Sequence, residues 1–269
     1  MFDGSMLEGK VAYIAGGTSG INLGIAIGFA RCGARVAVIG RDADKAHAAA
    51  REIAAATGSD AIGLSADVRD YDAVIASLRE TKQRFGRIDI VVSGAAGNFQ
   101  ASAVNLSPKG FKTVVEIDLI GTYHVFRGCF DFIEKPGAAL LAITAGGAVR
   151  PLPYQAHACA AKAGVNMLVK CLALEWGPAG VRVNAVSPGP IEGTEGISER
   201  MMPAALLQGL IGSLPLRRLG TRDEIADSAL FLCSPLAAYV TGHIIDCEGG
   251  MQLGDASRDC LTVIPRAAG

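Results

Sequence analysis

The chain has 269 residues, of which 50% are hydrophobic and 19% are charged, and its formal net charge is −1. This length suits one α/β domain with a large core, and the balanced charge gives no reason to expect a nucleic acid or an anionic membrane as partner. The seven scattered cysteines form no Cys-x-x-Cys pair, which argues against a disulfide framework and against a zinc site.

Short apolar runs alternate with longer amphipathic stretches along the whole chain. The apolar runs predict seven strands, at residues 11–14, 36–39, 61–64, 88–92, 139–143, 181–186 and 243–246. The segments between them have the length and the period of helices. The predicted fold class is therefore α/β, a Rossmann-type doubly wound parallel sheet in a single domain over residues 1–269.

A glycine-rich turn follows the first predicted strand and precedes a predicted helix. Small residues in such a turn let backbone N–H groups approach a pyrophosphate at the helix N-terminus. The turn predicts a dinucleotide site, and its predicted cofactor residues are Gly16, Thr18, Ser19, Gly20 and Ile21. Asn22 stands where a third glycine is usual, and we expect it to push the helix slightly off the strand.

The ends of the second and third strands carry the residues that bear on cofactor choice. NAD-binding chains usually place an acid after the second strand for the ribose 2′-hydroxyl. Here Gly40 takes that place and Arg41 follows, which suits a 2′-phosphate and predicts NADP(H). The alternative for Arg41 is a solvated side chain at a helix start. Asp67 and Val68 are predicted to meet the adenine edge, although Asp67 could equally be a helix N-cap.

The longest irregular stretch runs from Pro188 to Pro203 and is rich in glycine and polar residues. It follows a strand end, where open α/β sheets bind ligands. We predict a substrate lid over about residues 188–215. A plain surface loop is the alternative.

The order of these motifs resembles the short-chain dehydrogenase/reductase superfamily over nearly the whole chain. Besides the glycine-rich turn, the resemblance rests on residues 93–97 (Ser-Gly-Ala-Ala-Gly), on Lys162 and on Pro188-Gly189. Within the superfamily the chain is most similar to 2,4-dienoyl-CoA reductases of the peroxisomal type, through residues 95–99, 118–122, 175–178, 188–196 and 234–242. The resemblance implies that further residues contact the cofactor, namely Ala95, Ala96, Gly97, Lys162, Pro188, Gly189 and Ile191.

The superfamily's catalytic tetrad of Asn, Ser, Tyr and Lys maps by position onto Asp118, Ala145, Ala158 and Lys162. A ketoreductase needs the two hydroxyls to polarise a carbonyl and to protonate an alkoxide, so ordinary alcohol–ketone chemistry is not expected. The peroxisomal-type reductases also lack the usual Tyr and place an Asp at the position of Asp118. The mitochondrial type uses a Tyr where this chain has Gly147.

The resemblance implies NADPH-dependent reduction of a conjugated enoyl thioester in unsaturated fatty acid degradation. Lys162 is expected to bind the nicotinamide ribose, and Asp118 to relay a proton through a water. The alternative for Asp118 is a helix-interior residue that binds backbone or water and has no part in turnover. His157 could also donate a proton, and a solvent-facing histidine at a helix start is equally compatible with the sequence.

The expected substrate-side residues are Asn98, Phe99, Tyr154 and Arg200. Asn98 and Phe99 would meet the thioester or the acyl chain, Tyr154 would line the pocket, and Arg200 would meet CoA phosphates. The alternatives are a loop Asn, a core Phe and a solvated Arg.

Two other functions stay open at this point: reduction of another activated alkene or acyl thioester, and NADP(H) binding without turnover. The partner expected in either enzymatic case is an acyl-CoA-type small molecule, with no metal ion. Relatives imply a homotetramer. The sequence shows no basic–apolar signal at its start and no peroxisomal Ser-Lys-Leu-type ending, so a cytoplasmic protein is expected.

Overall fold

The computed structural model describes residues 4–194, 197 and 203–258. The strands of these residues form one parallel sheet in the order β3-β2-β1-β4-β5-β6-β7. Their bounds are Val11–Ala15 for β1, Arg35–Gly40 for β2, Ala61–Ser65 for β3, Ile90–Ser93 for β4, Ala139–Ile143 for β5, Arg182–Pro188 for β6 and Ile244–Cys247 for β7. The seven predicted strands and the doubly wound α/β fold class are thereby confirmed.

Helices cover both faces of this sheet. Their bounds are Gly20–Arg31 for α1, Ala43–Thr57 for α2, Tyr71–Phe85 for α3, Pro108–Val115 for α4, Gly121–Cys129 for α5, Ala156–Trp176 for α6, Ala204–Ser213 for α7 and Arg222–Cys233 for α8. A π-helical turn, Glu116–Ile120, joins α4 to α5, and the backbone stays in the right-handed helical region throughout the junction. Together α4, the π-helical turn and α5 make one helical path with a single widened turn.

Two apolar cores lie on opposite faces of the sheet. Phe29 of α1 and Ile225 of α8 pack into one core, while Leu78 of α3, Phe126 of α5 and Val165 of α6 pack into the other. Strand β1 is buried along its whole length and sends alternate side chains into the two cores. Burial on both faces is why the strands read as continuous apolar runs in the sequence.

Side-chain caps fix where several helices begin. Asp42 caps α2, Asp70 caps α3, and Thr221 and Glu224 form a capping box at the start of α8. Such caps satisfy backbone N–H groups that have no partner within the helix. Because Asp70 is the cap of α3, the interpretation of Asp67 as a helix N-cap is wrong.

The strand order reverses direction between β1 and β4. At such a switch point the connections leave in opposite directions and open a crevice at the carboxyl ends of the strands. The motif residues that follow β1, β2, β3 and β4 therefore meet at one edge of the sheet. Helix α7 lies within the predicted lid, of which residues 195, 196 and 198–202 are outside the described residues.

Candidate active site

A cleft of about 550 Å³ occupies the switch point. All the predicted cofactor residues except Ile191 line it: Gly16, Thr18, Ser19, Gly20, Ile21, Arg41, Asp67, Val68, Ala95, Ala96, Gly97, Lys162, Pro188 and Gly189. Ile191 is buried instead, and its backbone pairs with Gly220. The cleft has the size of a small-molecule site and brings together residues from the ends of six strands, β1 to β6.

Asn22 holds two sides of the cleft together. Its Nδ2 donates to the carbonyl oxygen of Gly16 at 3.3 Å and to that of Gly94 at 2.8 Å. A Cβ atom on Gly94 would lie 2.2 Å from Asn22 Oδ1, so the approach needs glycine at position 94. The side chain therefore ties the glycine-rich turn to the segment after β4. The expectation that Asn22 displaces the helix missed this role, because it rested on side-chain size alone.

The end of β2 has no room for the acid of an NAD-type site. A Cβ atom on Gly40 would lie 2.6 Å from Cγ2 of Thr18. Thr18 of the glycine-rich turn thus fills the space where a side chain at position 40 would begin. Arg41 follows and is exposed at the rim of the cleft. The geometry leaves a cation, and no acid, at the end of β2.

Asp118 is the buried acid of the site, with only 1% of its surface exposed. It sits in the π-helical turn, and such turns often occur at functional sites because they redirect a side chain out of the regular helical spacing. Its Oδ1 accepts the backbone N–H of Gly97 at 2.8 Å, and its Oδ2 lies 3.3 Å from Nζ of Lys162. Asp118 therefore contacts a buried lysine side chain as well as the backbone.

The side chain of Lys162 projects from α6 toward the carboxylate of Asp118 and is buried. Its Nζ donates to the carbonyl oxygen of Ile143, at the end of β5, at 2.9 Å. The ammonium group is therefore held between the acid from the π-helical turn and a strand end. Breaking a buried ion pair by removing one partner typically costs about 3–5 kcal/mol, so this pair contributes to the order of the cleft as well as to its charge.

Comparison with known proteins identifies the family. A family model described as enoyl-(acyl carrier protein) reductase matches residues 15–252. The peroxisomal 2,4-dienoyl-CoA reductase [(3E)-enoyl-CoA-producing] of Pongo abelii is 43% identical over 254 residues, which are 94% of this chain and 87% of that protein. The chain belongs to the short-chain dehydrogenase/reductase family. It is accordingly an oxidoreductase with a site for a nicotinamide cofactor.

Two bacterial proteins extend the comparison. The probable 2,4-dienoyl-CoA reductase [(2E)-enoyl-CoA-producing] of Bacillus subtilis is 37% identical, over 92% of this chain and 98% of its own. A solved short-chain dehydrogenase structure from Bacillus anthracis is 37% identical with a TM-score of 0.80, and covers 91% of this chain and 97% of its own.

As a short-chain dehydrogenase/reductase, this chain lacks the family's hydroxyl pair. Ala145 lines the cleft after β5, and Ala158 is buried one turn before Lys162 on α6. Gly147, the position of the mitochondrial-type Tyr, packs close to Cys159, whose Sγ would lie 3.0 Å from an added Cβ. None of these three positions offers a hydroxyl, so Lys162 is the one residue of the family's tetrad that this chain keeps, and Asp118 stands at the position of the Asn.

Two of the predicted substrate residues, Asn98 and Phe99, lie on a loop beside the start of α6, and Tyr154 comes just before this helix. Asn98 Nδ2 donates to Oε1 of Gln155 at 2.9 Å, and the Phe99 ring lies 4.4 Å from the ring of His157. Phe99 is partly exposed and so is not a core residue, while Tyr154 is exposed with a positive φ of 64°. The loop is therefore anchored to the helix that carries Lys162. Arg200 lies outside the described residues.

His157 does not face the solvent, so that interpretation of this residue is wrong. It is fully buried, and neither ring nitrogen has a hydrogen-bond partner among the described residues. The ring of Phe99 packs against His157, and a contact with a loop that is distant in sequence does not show in the hydrophobic pattern of α6. Within the same described part of the chain, no group of three or more His, Cys, Asp or Glu side chains could hold a metal ion.

Proposed function

We propose that this protein is an NADPH-dependent 2,4-dienoyl-CoA reductase of unsaturated fatty acid degradation. One observation carries the proposal: Lys162, which lines the cofactor cleft, pairs with the buried Asp118, and methyl groups replace the family's Ser and Tyr hydroxyls. The chain shares up to 43% identity with proteins named as peroxisomal 2,4-dienoyl-CoA reductases. Both point to reduction of a conjugated alkene rather than of a ketone.

The residues of the cleft fit NADP(H). The glycine-rich turn presents its backbone at the start of α1, which suits a pyrophosphate. Thr18 occupies the space of an acid at position 40, and Arg41 supplies a cation for a 2′-phosphate. Lys162 is proposed to hold the nicotinamide ribose. When bound, the reduced cofactor supplies the hydride.

The protein's part in the chemistry is to place the thioester and to deliver one proton. Hydride addition at the δ carbon shifts the two π bonds toward the thioester, and the electron pair comes to rest on its oxygen as an enolate. The Lys162 ammonium group is the cation nearest to Asp118 and can stabilise this negative charge. A proton then adds to the α carbon, which leaves a double bond between the β and γ carbons.

Asp118 accepts in both of its observed contacts, from Gly97 N–H and from the Lys162 ammonium group. The acid is therefore arranged as an acceptor, not as a direct donor to carbon. We propose that Asp118 orients a water that carries the proton to the substrate, with Lys162 as the group that replenishes it. In this arrangement the proton-transfer step depends on both residues, whereas cofactor binding depends on Lys162 alone.

Protonation at the α carbon predicts the (3E)-enoyl-CoA product. The Pongo abelii relative is named for that product and the Bacillus subtilis relative for the (2E) isomer, so the product itself tests the proposal. Reaction with a dienoyl-CoA and deuterated NADPH should place the label at the δ carbon. Reaction in D₂O should place one deuterium at the α carbon. A (2E) product, or no product that depends on NADPH, would overturn the proposed reaction.

The Phe99 loop is proposed to hold the substrate. Asn98 and Phe99 would meet the thioester and the acyl chain, with Tyr154 at the edge of the pocket and Arg200 near the CoA phosphates. Phe99→Ala should raise KM for the dienoyl-CoA while leaving the Kd for NADPH unchanged, because the ring contacts His157 rather than the cofactor cleft. An unchanged KM would remove Phe99 from the substrate site.

The remaining expectations concern the whole protein. We propose one domain over residues 1–269 with a lid over about residues 188–215, a homotetramer, and a cytoplasmic location. No helix of the described residues could cross a membrane. Exposed apolar side chains on α5 and α6, among them Tyr123, Met167 and Leu174, offer a surface that a second copy could cover. Cell fractionation tests the location.

A further inference from the structure

Asp67 brings a negative charge to the cofactor cleft, close to where the 2′-phosphate is proposed to bind. It follows β3 and lines the cleft together with Arg41. Its side chain is 27% exposed, so solvent only partly screens the charge. A phosphate that approaches Arg41 would therefore also approach Asp67, and the acid would oppose the binding that Arg41 favours.

The side chain of Arg69 donates hydrogen bonds to both carboxylate oxygens of Asp67. Its Nε lies 3.0 Å from Oδ1 and 3.1 Å from Oδ2, and its Nη2 lies 2.6 Å from Oδ2. The backbone N–H of Arg69 also donates to Oδ1, at 3.0 Å. The side-chain hydrogen bonds from Arg69 are the main cause that lowers the pKa of Asp67, and the charge of Arg41 lowers it further. Asp67 is thus a fixed anion that one neighbouring guanidinium neutralises at close range.

We infer that Arg69 is a specificity-determining positioning residue for NADP(H), because it neutralises Asp67 and leaves the charge of Arg41 free for the 2′-phosphate. The inference rests on the proposed NADP(H) preference. Arg69 acts through Asp67 and need not touch the cofactor. Arg69 should therefore affect the Kd of NADPH and not the Kd of NADH, because NADH has no phosphate on its 2′-hydroxyl.

The substitution Arg69→Ala isolates this electrostatic role. The backbone hydrogen bond from residue 69 to Asp67 survives the change, so the turn after β3 keeps its local support. The Kd of NADPH and of NADH should be measured by fluorescence titration. NADPH should bind about five- to tenfold more weakly, the scale of one partly screened unit charge, while NADH stays within about twofold.

Two further variants make the test decisive. Asp67→Asn removes the acid that Arg69 neutralises. In that background Arg69→Ala should leave the ratio of the two Kd values nearly unchanged, as a double-mutant cycle requires for residues that act through each other. Arg84→Ala is the matched control, because Arg84 pairs with Asp60 at 3.1 Å away from the cleft. It should change neither Kd.

Equal weakening of both cofactors by Arg69→Ala would overturn the inference and make Arg69 a structural residue. If Arg69→Ala weakens NADPH binding just as much in the Asp67→Asn background, the inference is overturned too, because Arg69 would then contact the phosphate itself. A parent protein without NADPH preference would contradict both this inference and the proposed cofactor. Failure to reduce a dienoyl-CoA, with the binding results intact, would contradict only the proposed function.

Discussion

The proposed chemistry depends most on Asp118. The family's usual residue at this position is Asn, which has nearly the same size and can also accept the Gly97 N–H. The carboxylate differs in that it pairs with the Lys162 ammonium group at 3.3 Å in a buried place. A buried charge pair is costly to build, so its presence beside the cofactor cleft points to a use in turnover.

Asp118→Asn is therefore the sharpest single substitution. It should lower kcat about 10²–10⁴-fold, the range for loss of a group that handles a proton, and leave the Kd for NADPH nearly unchanged. Steady-state rates and a cofactor titration measure the two effects. Lys162→Ala is the comparison, and it should impair both. An Asn variant that works at the parent rate would make Asp118 structural.

Arg41 is the residue on which the expected preference for NADPH over NADH depends. A charge-assisted contact to a phosphate contributes about 1.5–3 kcal/mol. Arg41→Ala should then weaken NADPH about 10- to 150-fold in a titration and leave NADH little changed. Arg51→Ala, at an exposed position on α2, is the control for loss of a surface charge. Equal weakening of both cofactors by Arg41→Ala would refute the assignment.

The connection between the glycine-rich turn and the end of β4 depends on Asn22. Asn22→Gly restores the family's usual glycine but removes two hydrogen bonds and leaves two carbonyl groups without that partner. Each lost bond of this kind costs roughly 0.5–1.5 kcal/mol, so the variant should have a lower Tm and a weaker NADPH affinity. Asn105→Gly, in an exposed turn, should change neither. A more stable Asn22→Gly protein would contradict the proposed connection.

The capping box of α8 makes stability depend on pH. Hydrogen bonds from Arg218 are the main cause that lowers the pKa of Glu224 from 4.5 to about 2, and the Thr221 N–H adds to this. A lowered pKa stabilises the folded protein at pH values above about 4.5, and this contribution is lost as the pH falls toward about 2. Both side chains of the pair are exposed, which keeps the effect small.

Glu224→Gln cannot ionise and should therefore show this difference directly. Its Tm should lie below that of the parent at neutral pH, and the gap should narrow as the pH falls through about 4.5. Thermal unfolding across this range measures it, with Glu52→Gln on an exposed face of α2 as the control. A gap that does not change with pH would mean that the ionised carboxylate does not stabilise the helix start.

The elements differ in how well the sequence predicts them. All seven strands follow from apolar runs, because burial on both faces leaves a continuous pattern. The predicted fourth strand began two residues early, since Ile88 pairs with Ile133 in an isolated bridge outside β4. The π-helical turn around Asp118 was not predicted, because one extra residue in a turn hardly alters a helical period.

Site residues that directly follow a strand could be predicted from the sequence. Contacts between side chains that are far apart in the sequence could not. The order of strands brings most of the predicted cofactor residues into one cleft. The contacts that set its electrostatics join residues from separate elements, as in the Asp118–Lys162 pair. The Asn22–Gly94 bond, the Asp67–Arg69 pair and the burial of His157 also needed the three-dimensional structure.

For the molecule as a whole, the proposed homotetramer predicts a particle of four times the 27.7 kDa of one chain. Light scattering after size exclusion measures this mass. Introduction of a charge at exposed apolar positions of α6, as in Met167→Glu with Leu174→Glu, should give smaller particles if α6 forms an interface. A monomeric parent protein would contradict the proposed assembly without affecting the proposed chemistry.

We propose that this molecule reduces conjugated enoyl thioesters and has lost the family's alcohol–ketone chemistry. The direct test is NADPH consumption by the purified protein with a 2,4-dienoyl-CoA, compared with a panel of 3-ketoacyl thioesters and simple ketones. The structure predicts consumption with the dienoyl-CoA and none with the panel, because positions 145 and 158 carry only methyl groups. Turnover of the ketone panel, or NADPH binding without any consumption in the presence of the dienoyl-CoA, would contradict the account.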